Sequence, residues 1–260
     1  MRYLISLSFN GSAFSGWQIQ KNAHSVQQEL QESLSLLLGT EIKVTGAGRT
    51  DTGVNAVNYI AHFDCPECIE NTSFLLYKIN AILPRYIAVY SLEKTSDDFH
   101  SRFDAKSRTY KYFIHTFKDP FLCGFSLFVR KEDINIEKMN LAASFFMGEH
   151  DFTSFEKANG GNKTSICRVS EAFWERIPGT GYGPLDMPQQ YGKNKERYVF
   201  TVTADRFLRN MVRAMVGSLL EVGKGKKDPD WIKRLLIEKD RCKAGQSVSG
   251  TALFLWNIKY

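Results

Sequence analysis

Tyr3, Ile5, Leu7 and Phe9 stand at every second position, and the run stops at the turn pair Asn10-Gly11, which predicts a half-buried strand over residues 3–9. The period then changes. Ser25 with Gln28 three places on forms a capping box, and Val26, Leu30, Leu34, Leu37 and Leu38 make one apolar stripe. Gly39 stands where such a helix ends. A strand with one apolar face and a helix with one apolar stripe must cover each other, so this change of period constrains the fold more than any other feature.

The remaining segments extend the pattern. Ile42 to Thr45 reads as a strand leading into a glycine-rich loop, and Val57, Tyr59, Ala61 and Phe63 alternate in the next strand. A helix is predicted over 70–80 and a strand over 86–92, giving the order β-α-β-β-α-β. The second half repeats it more loosely, with strands at 109–116, 166–176 and 196–204, helices at 135–147 and 206–222, and a closing strand at 252–258. A further short helix is expected over 230–238. The predicted fold class is α+β, with two ferredoxin-like domains and antiparallel sheets, residues 1–104 and 105–260. No sequence repeat supports the duplication; the order of elements does. Residues 157–165 and 178–195 are rich in Gly, Pro and polar residues and read as loops, the second a long hairpin loop or a disordered segment.

With 43% hydrophobic and 13% aromatic residues, the chain of 260 has ample apolar surface for a core, which excludes disordered and collagen-like classes. No apolar run approaches the roughly 18–20 residues needed to span a bilayer, so no membrane partner is expected. The opening MRYLISLSFNG reads as a strand rather than a signal peptide, and five scattered cysteines fit reduced thiols, so a cytoplasmic location is expected. The net charge of +6 is unevenly spread. Residues 102–118 and 205–227 each carry +4, leaving −2 elsewhere, a concentration suited to meeting phosphates. Solvated basic faces would give the same count.

The stretch Gly46-Ala47-Gly48-Arg49-Thr50-Asp51-Thr52-Gly53 carries the strongest chemical signal. Its three glycines permit tight turns and close approach to a ligand. Arg49 and Asp51, two apart, can project into one cleft, where a guanidinium favours the ionised form of a nucleophilic carboxylate. On physics alone a structural Asx-turn with a surface arginine is the favoured reading. The loop lacks the Gly-Lys-Ser/Thr ending of a phosphate-cradling Walker loop.

GAGRTDTGVNA closely resembles the AGRTDAGVHA signature of the TruA family of tRNA pseudouridine synthases. The resemblance spans essentially the whole chain. NGSAFSGWQIQ at 10–20, DFHSRF at 98–103, RTYKY at 108–112, GEHDFTSF at 148–155 and FLRNMVRAMVGSLLEVG at 207–223 are similar, in order, to the family's other motifs. The resemblance implies an isomerase converting uridine to pseudouridine at positions 38, 39 and 40 of the tRNA anticodon arm. It implies no metal or organic cofactor, and a homodimer with tRNA across both subunits. Asp51 would be the nucleophile, flanked by Arg49 and Arg213. Tyr110 would stack on the target uracil and Leu253 would line the base pocket. Two departures stand out: Thr52 where alanine is usual, and Asn55 where histidine is usual.

With that implied activity, the basic stretches read as an RNA-binding cleft, with Arg102, Arg108, Lys111 and Arg209 as RNA contacts. A helix over 206–222 would place Arg206, Arg209 and Arg213 within about 60° of one another, opposite its apolar side. His62-x-x-Cys65-x-x-Cys68 suggests zinc or redox chemistry, but no second ligand pair accompanies it, so no metal is expected. The absence of G-x-S-x-G argues against a hydrolase. A non-catalytic pair of RRM-like domains shares the element order, yet the RNP1 pattern is missing and the Arg-Thr-Asp loop would have no purpose.

Overall fold

A computed structural model describes residues 1–157, 164–177 and 195–260. Most of the two predicted loops, at 157–165 and 178–195, lies outside the described residues. The elements run β1 (Arg2–Phe9), α1 (Val26–Leu38), β2 (Val44–Gly46), β3 (Asn55–Asp64), α2 (Thr72–Ile82) and β4 (Ile87–Thr95). They continue with β5 (Ser107–His115), β6 (Leu127–Phe128), α3 (Ile136–Ser144), β7 (Gly148–Asp151), β8 (Ile166–Arg176) and β9 (Arg197–Ala204). The chain closes with α4 (Met211–Gly223), α5 (Trp231–Glu238) and β10 (Leu253–Lys259). The class is mixed α+β with mostly antiparallel pairing. No helix among the described residues is long and apolar enough to cross a membrane. Contacts divide the chain into two compact units, residues 1–109 with 254–260, and residues 110–253.

In the first unit the strand order is β4-β1-β3, with β2 pairing on β3. Phe254 and Leu255 of β10 pair in parallel with Asn55 and Ala56 of β3. Tyr3, Ile5, Leu7 and Phe9 all face the core, as their alternation predicts. α1 has the expected ends: the Ser25 side chain accepts from the Gln28 N–H and Gly39 adopts the left-handed conformation. Val26, Leu30 and Leu34 of the predicted stripe are fully buried.

β3 departs from simple alternation. Val57, expected inside with Tyr59, Ala61 and Phe63, is 38% exposed, and Ala56 takes the buried place. The pairing with β1 slips between Leu7 and Phe9: Leu7 opposes Tyr59, whereas Phe9 opposes Ala56. A slip of one residue exchanges the two faces of a strand. The other face of β3 is covered too, since Ile60 and His62 are buried.

In the second unit the order is β5-β9-β8-β7, with β6 on β5. The helix predicted over 206–222 begins only at Met211. Asn210 sits at φ 70°, a left-handed conformation that no helix interior accepts, so residues 206–209 form an irregular lead-in. The three arginines therefore do not share one helical face. α4 is also mostly buried, not half-solvated, with its predicted apolar positions Met215, Val216 and Leu219 fully inside.

Candidate active site

The loop between β2 and β3 is built from its base. The Ala47 N–H donates to the Ile60 carbonyl at 2.9 Å. The Tyr59 hydroxyl grips Gly48 from both sides, donating to its carbonyl and accepting from its N–H. Tyr59 is itself locked by Trp17, with ring centroids 4.2 Å apart, and by Phe9 at 5.5 Å. Beyond this anchor Arg49 is exposed, Thr50 buried, Asp51 half-buried and Thr52 exposed. The Val54 N–H donates to the Asp51 carbonyl at 3.1 Å, closing a turn with Gly53 at φ 79°.

The segment NGSAFSGWQIQ forms the back of this loop. Gly16, at φ 91°, lies so close that a Cβ there would stand 2.2 Å from the Thr50 carbonyl oxygen. The Gly11 N–H donates to Asn55 Oδ1 at 2.9 Å. Asn55, the departure from the family pattern, is thus a buried strut between this segment and the end of the loop. Thr52 points to solvent, and nothing in the structure explains its choice.

The DFHSRF segment covers the outer face of β3. The Ser101 N–H donates to His62 Nδ1 at 3.1 Å, while the Ser101 hydroxyl donates to the Thr45 carbonyl at 2.9 Å. Burial, with Arg2 and His100 acting in the same direction against Asp64 and Asp104, lowers His62 to about 4. Neutral in the fold but able to protonate once unfolded, this imidazole contributes stability above about pH 6.5 that is lost as pH falls toward 4. Unfolding by urea should show His62→Gln losing less stability than wild type between pH 7 and pH 5, by about 2 kcal/mol. Equal losses in the two proteins would refute the assignment. Burial also lowers His115, so part of the slope persists in the variant.

Arg102 and Phe103 project outward together, the guanidinium 5.6 Å from a ring that is 74% exposed. Arg108 differs from its basic neighbours. Its Nη2 donates to the carbonyls of Ala47 at 3.1 Å and Arg102 at 2.7 Å, and its Nη1 to that of Ala105 at 3.3 Å.

In the second unit Tyr110, half-buried on β5, makes a T-shaped contact with Phe207 at a centroid distance of 4.9 Å. Phe207 is a support that sequence spacing assigned to a helix stripe; its place just ahead of Asn210 gave no sign of this contact. Arg213, in the first turn of α4, donates from Nε to the Val248 carbonyl at 2.7 Å, and the Val248 N–H returns a bond to the Arg213 carbonyl at 3.2 Å. This pair fixes the guanidinium stem. Gly217 permits the approach of segment 245–248, because a Cβ there would stand 1.9 Å from the Gln246 carbonyl oxygen. Leu253 is buried at the start of β10, its N–H donating to Gly250. Lys111 is half-buried and Arg209 exposed.

His62, Cys65 and Cys68 do not converge on a common point. His62 bonds Ser101, Cys65 is buried, and exposed Cys68 lies 3.8 Å from the Tyr3 hydroxyl. Among the described residues no group of three His, Cys, Asp or Glu side chains is placed to hold a metal ion.

These features define an α+β protein bearing an arginine–aspartate pair on a rigidly mounted glycine loop, with an aromatic pair and a buttressed arginine in its second unit. A family model described as tRNA pseudouridine synthase matches residues 142–260. A tRNA pseudouridine synthase A of Parabacteroides distasonis is 45% identical over 259 residues, covering all of this chain and 96% of the relative. The Bacteroides thetaiotaomicron protein of the same name is 43% identical over 259 residues, covering 100% of this chain and 90% of its own. One from Francisella philomiragia, 34% identical over 260 residues, covers 99% and 93%. The chain belongs to the tRNA pseudouridine synthase family.

Proposed function

We propose that this protein isomerises uridine to pseudouridine in tRNA, at positions 38–40 of the anticodon arm, with Asp51 as the nucleophile. The observation that carries the reading is similarity along the entire chain to relatives named tRNA pseudouridine synthase A, with the Arg-Thr-Asp loop intact. Arg49 and Arg213 are the cationic partners of Asp51, Tyr110 stacks on the uracil, and Leu253 walls the base pocket. The rigid mount of the loop and the T-shaped contact of Phe207 with Tyr110 support these roles. The strand order β4-β1-β3 with β2 on β3 supports a ferredoxin-like first domain, and the element order supports a second. The enzyme acts in the cytoplasm as a homodimer without a cofactor.

The reaction breaks the bond from C1′ to N1, turns the uracil and joins C1′ to C5. The C5 proton leaves and N1 gains one, so no redox partner or energy donor is consumed. The carboxylate can assist by attacking C1′ or C6, or by promoting loss of the C2′ proton. The target base must first leave its stack, at a cost of a few kcal/mol. Tritium released from tRNA carrying C5-tritiated uridine measures turnover directly. Binding of tRNA without turnover would instead favour a non-catalytic RNA reader.

Arg102, Lys111 and Arg209 are the candidate phosphate contacts; Arg108, facing backbone carbonyls, takes another role. Affinity for tRNA is expected to fall by about 0.9 log unit per log unit of salt for each duplex phosphate neutralised. Alanine at Arg102 or Arg209 should lower that slope by about one. A flat salt titration of the wild type would refute the basic surface.

A further inference from the structure

We propose that Arg108 is a positioning residue, which ties the RNA-contacting segment 98–104 to the loop bearing Asp51 through the Ala47 carbonyl, and is not itself a phosphate contact. The inference rests on the function proposed above and assigns to this side chain the coupling of RNA binding to chemistry.

One nitrogen makes the link. Nη2 of Arg108 donates at once to the carbonyls of Ala47 and Arg102, at 3.1 and 2.7 Å. Ala47 is 1% exposed and its N–H is held by Ile60 of β3, so both backbone polar groups of this residue are fixed. Gly48, the next residue, is clasped by Tyr59. The Ala47 N–H and both backbone groups of Gly48 are thus held from β3, whereas the Ala47 carbonyl receives the Arg108 guanidinium. That last contact comes from the side of the DFHSRF segment.

The segment is in turn well held at its inner side. The Tyr260 hydroxyl donates to the Ser101 carbonyl at 2.7 Å, and Ser101 bonds Thr45 and His62. Burial raises the Tyr260 phenol, and the Arg108 charge acts on it in the opposite sense, so the guanidinium sits close to this anchor. At its outer side the same segment presents Arg102 and Phe103 to solvent. A ligand gripping the Arg102 side chain thus pulls on a residue whose carbonyl shares a nitrogen with Ala47.

A planar guanidinium can place two N–H bonds of one nitrogen on two divergent acceptors, and a third on Ala105. An ammonium is a point charge on a flexible stem and does not hold that fork. N–H groups aimed at carbonyls are also not aimed at a phosphate. Charge alone and geometry therefore give different outcomes for lysine at this position.

The test compares wild type, Arg108→Lys and Arg108→Ala on tRNA carrying C5-tritiated uridine, measuring affinity across a salt series and the single-turnover rate at saturating tRNA. Both variants should bind within about 3-fold of wild type with an unchanged salt slope, while the saturated rate falls by about 10²-fold, the usual scale for a misplaced reacting group. A weakened affinity with a reduced slope and an intact saturated rate would make Arg108 a phosphate contact and overturn the proposal. So would a wild-type rate in Arg108→Lys. If Arg108→Ala does not fold, Arg108→Lys, checked by circular dichroism, decides alone. A wild type that binds tRNA but never turns over refutes the proposed function itself, and the coupling with it; slow variants beside an active wild type separate the two.

Discussion

Asp51→Ala is expected to lower tritium release from C5-labelled tRNA by about 10⁴-fold or more, the scale seen when a nucleophile is removed. That is about 5 kcal/mol of lost transition-state stabilisation. The C5 proton leaves only when C5 has joined C1′, so the assay reports the whole isomerisation and not base binding. Asp51→Asn should fall nearly as far, because the amide keeps the shape and loses the charge. The half-buried side chain lies on a loop whose base is held by Tyr59, Ile60 and Arg108, so either variant should keep the wild-type fold and tRNA affinity. Activity within tenfold of wild type in Asp51→Ala would remove this residue from the chemistry.

Much of the first unit was legible from local pattern. Ser25 and Gly39 bound α1 because capping is decided by residues within one turn of the helix end. In the second unit strand β8 matched its prediction at both ends, Ile166 and Arg176, although a register shift between Val169 and Glu171 moves its buried side from Cys167 and Val169 to Ala172 and Trp174. The misses came where one distant contact outweighs the pattern. Val57 has the parity of a core residue, but the slipped pairing of Phe9 with Ala56 turns it outward. Residues 206–209 carry a helical stripe, yet Asn210 takes a left-handed conformation and ends it.

The same division holds for the site. Asp51 and Arg49 stood out as candidates because glycine-rich flanks, a paired charge and the resemblance of the loop to the family's signature are all local signals. Arg108 read as an RNA contact in a basic stretch, since nothing in its neighbours reveals that Ala47, 61 positions away in the chain, supplies one of its acceptors. His62 looked like a partner for Cys65 and Cys68 by spacing; in the fold its Nδ1 accepts from Ser101. Asn55 registered only as a departure, and its reason is the Gly11 N–H, 44 positions away.

Gly16→Ala shows how such a hidden contact can be measured. At φ 91° an alanine carries a backbone penalty of about 1–2 kcal/mol. Its Cβ would also stand 2.2 Å from the Thr50 carbonyl oxygen, and neither partner is a flexible side-chain tip that can step aside. Overpacking of this kind costs about 1–3 kcal/mol, so a total of about 2–5 kcal/mol is expected. In a chain of this size that corresponds to a melting temperature lower by roughly 10 °C. Relief requires moving Thr50, and Asp51 follows it in the chain, so turnover should fall further than stability explains. The separation is clear at a temperature where the variant is still folded: there the saturated rate should be lower by about 10²-fold, the scale of a reacting group displaced by an ångström. Gly39→Ala is the matched control, because Gly39 also has a positive φ, 65°, but no atom lies within 4 Å of its would-be Cβ. It should lower the melting temperature modestly and leave the rate alone. Equal rate losses in the two variants would mean that general destabilisation, and not the position of Thr50 and Asp51, controls the chemistry.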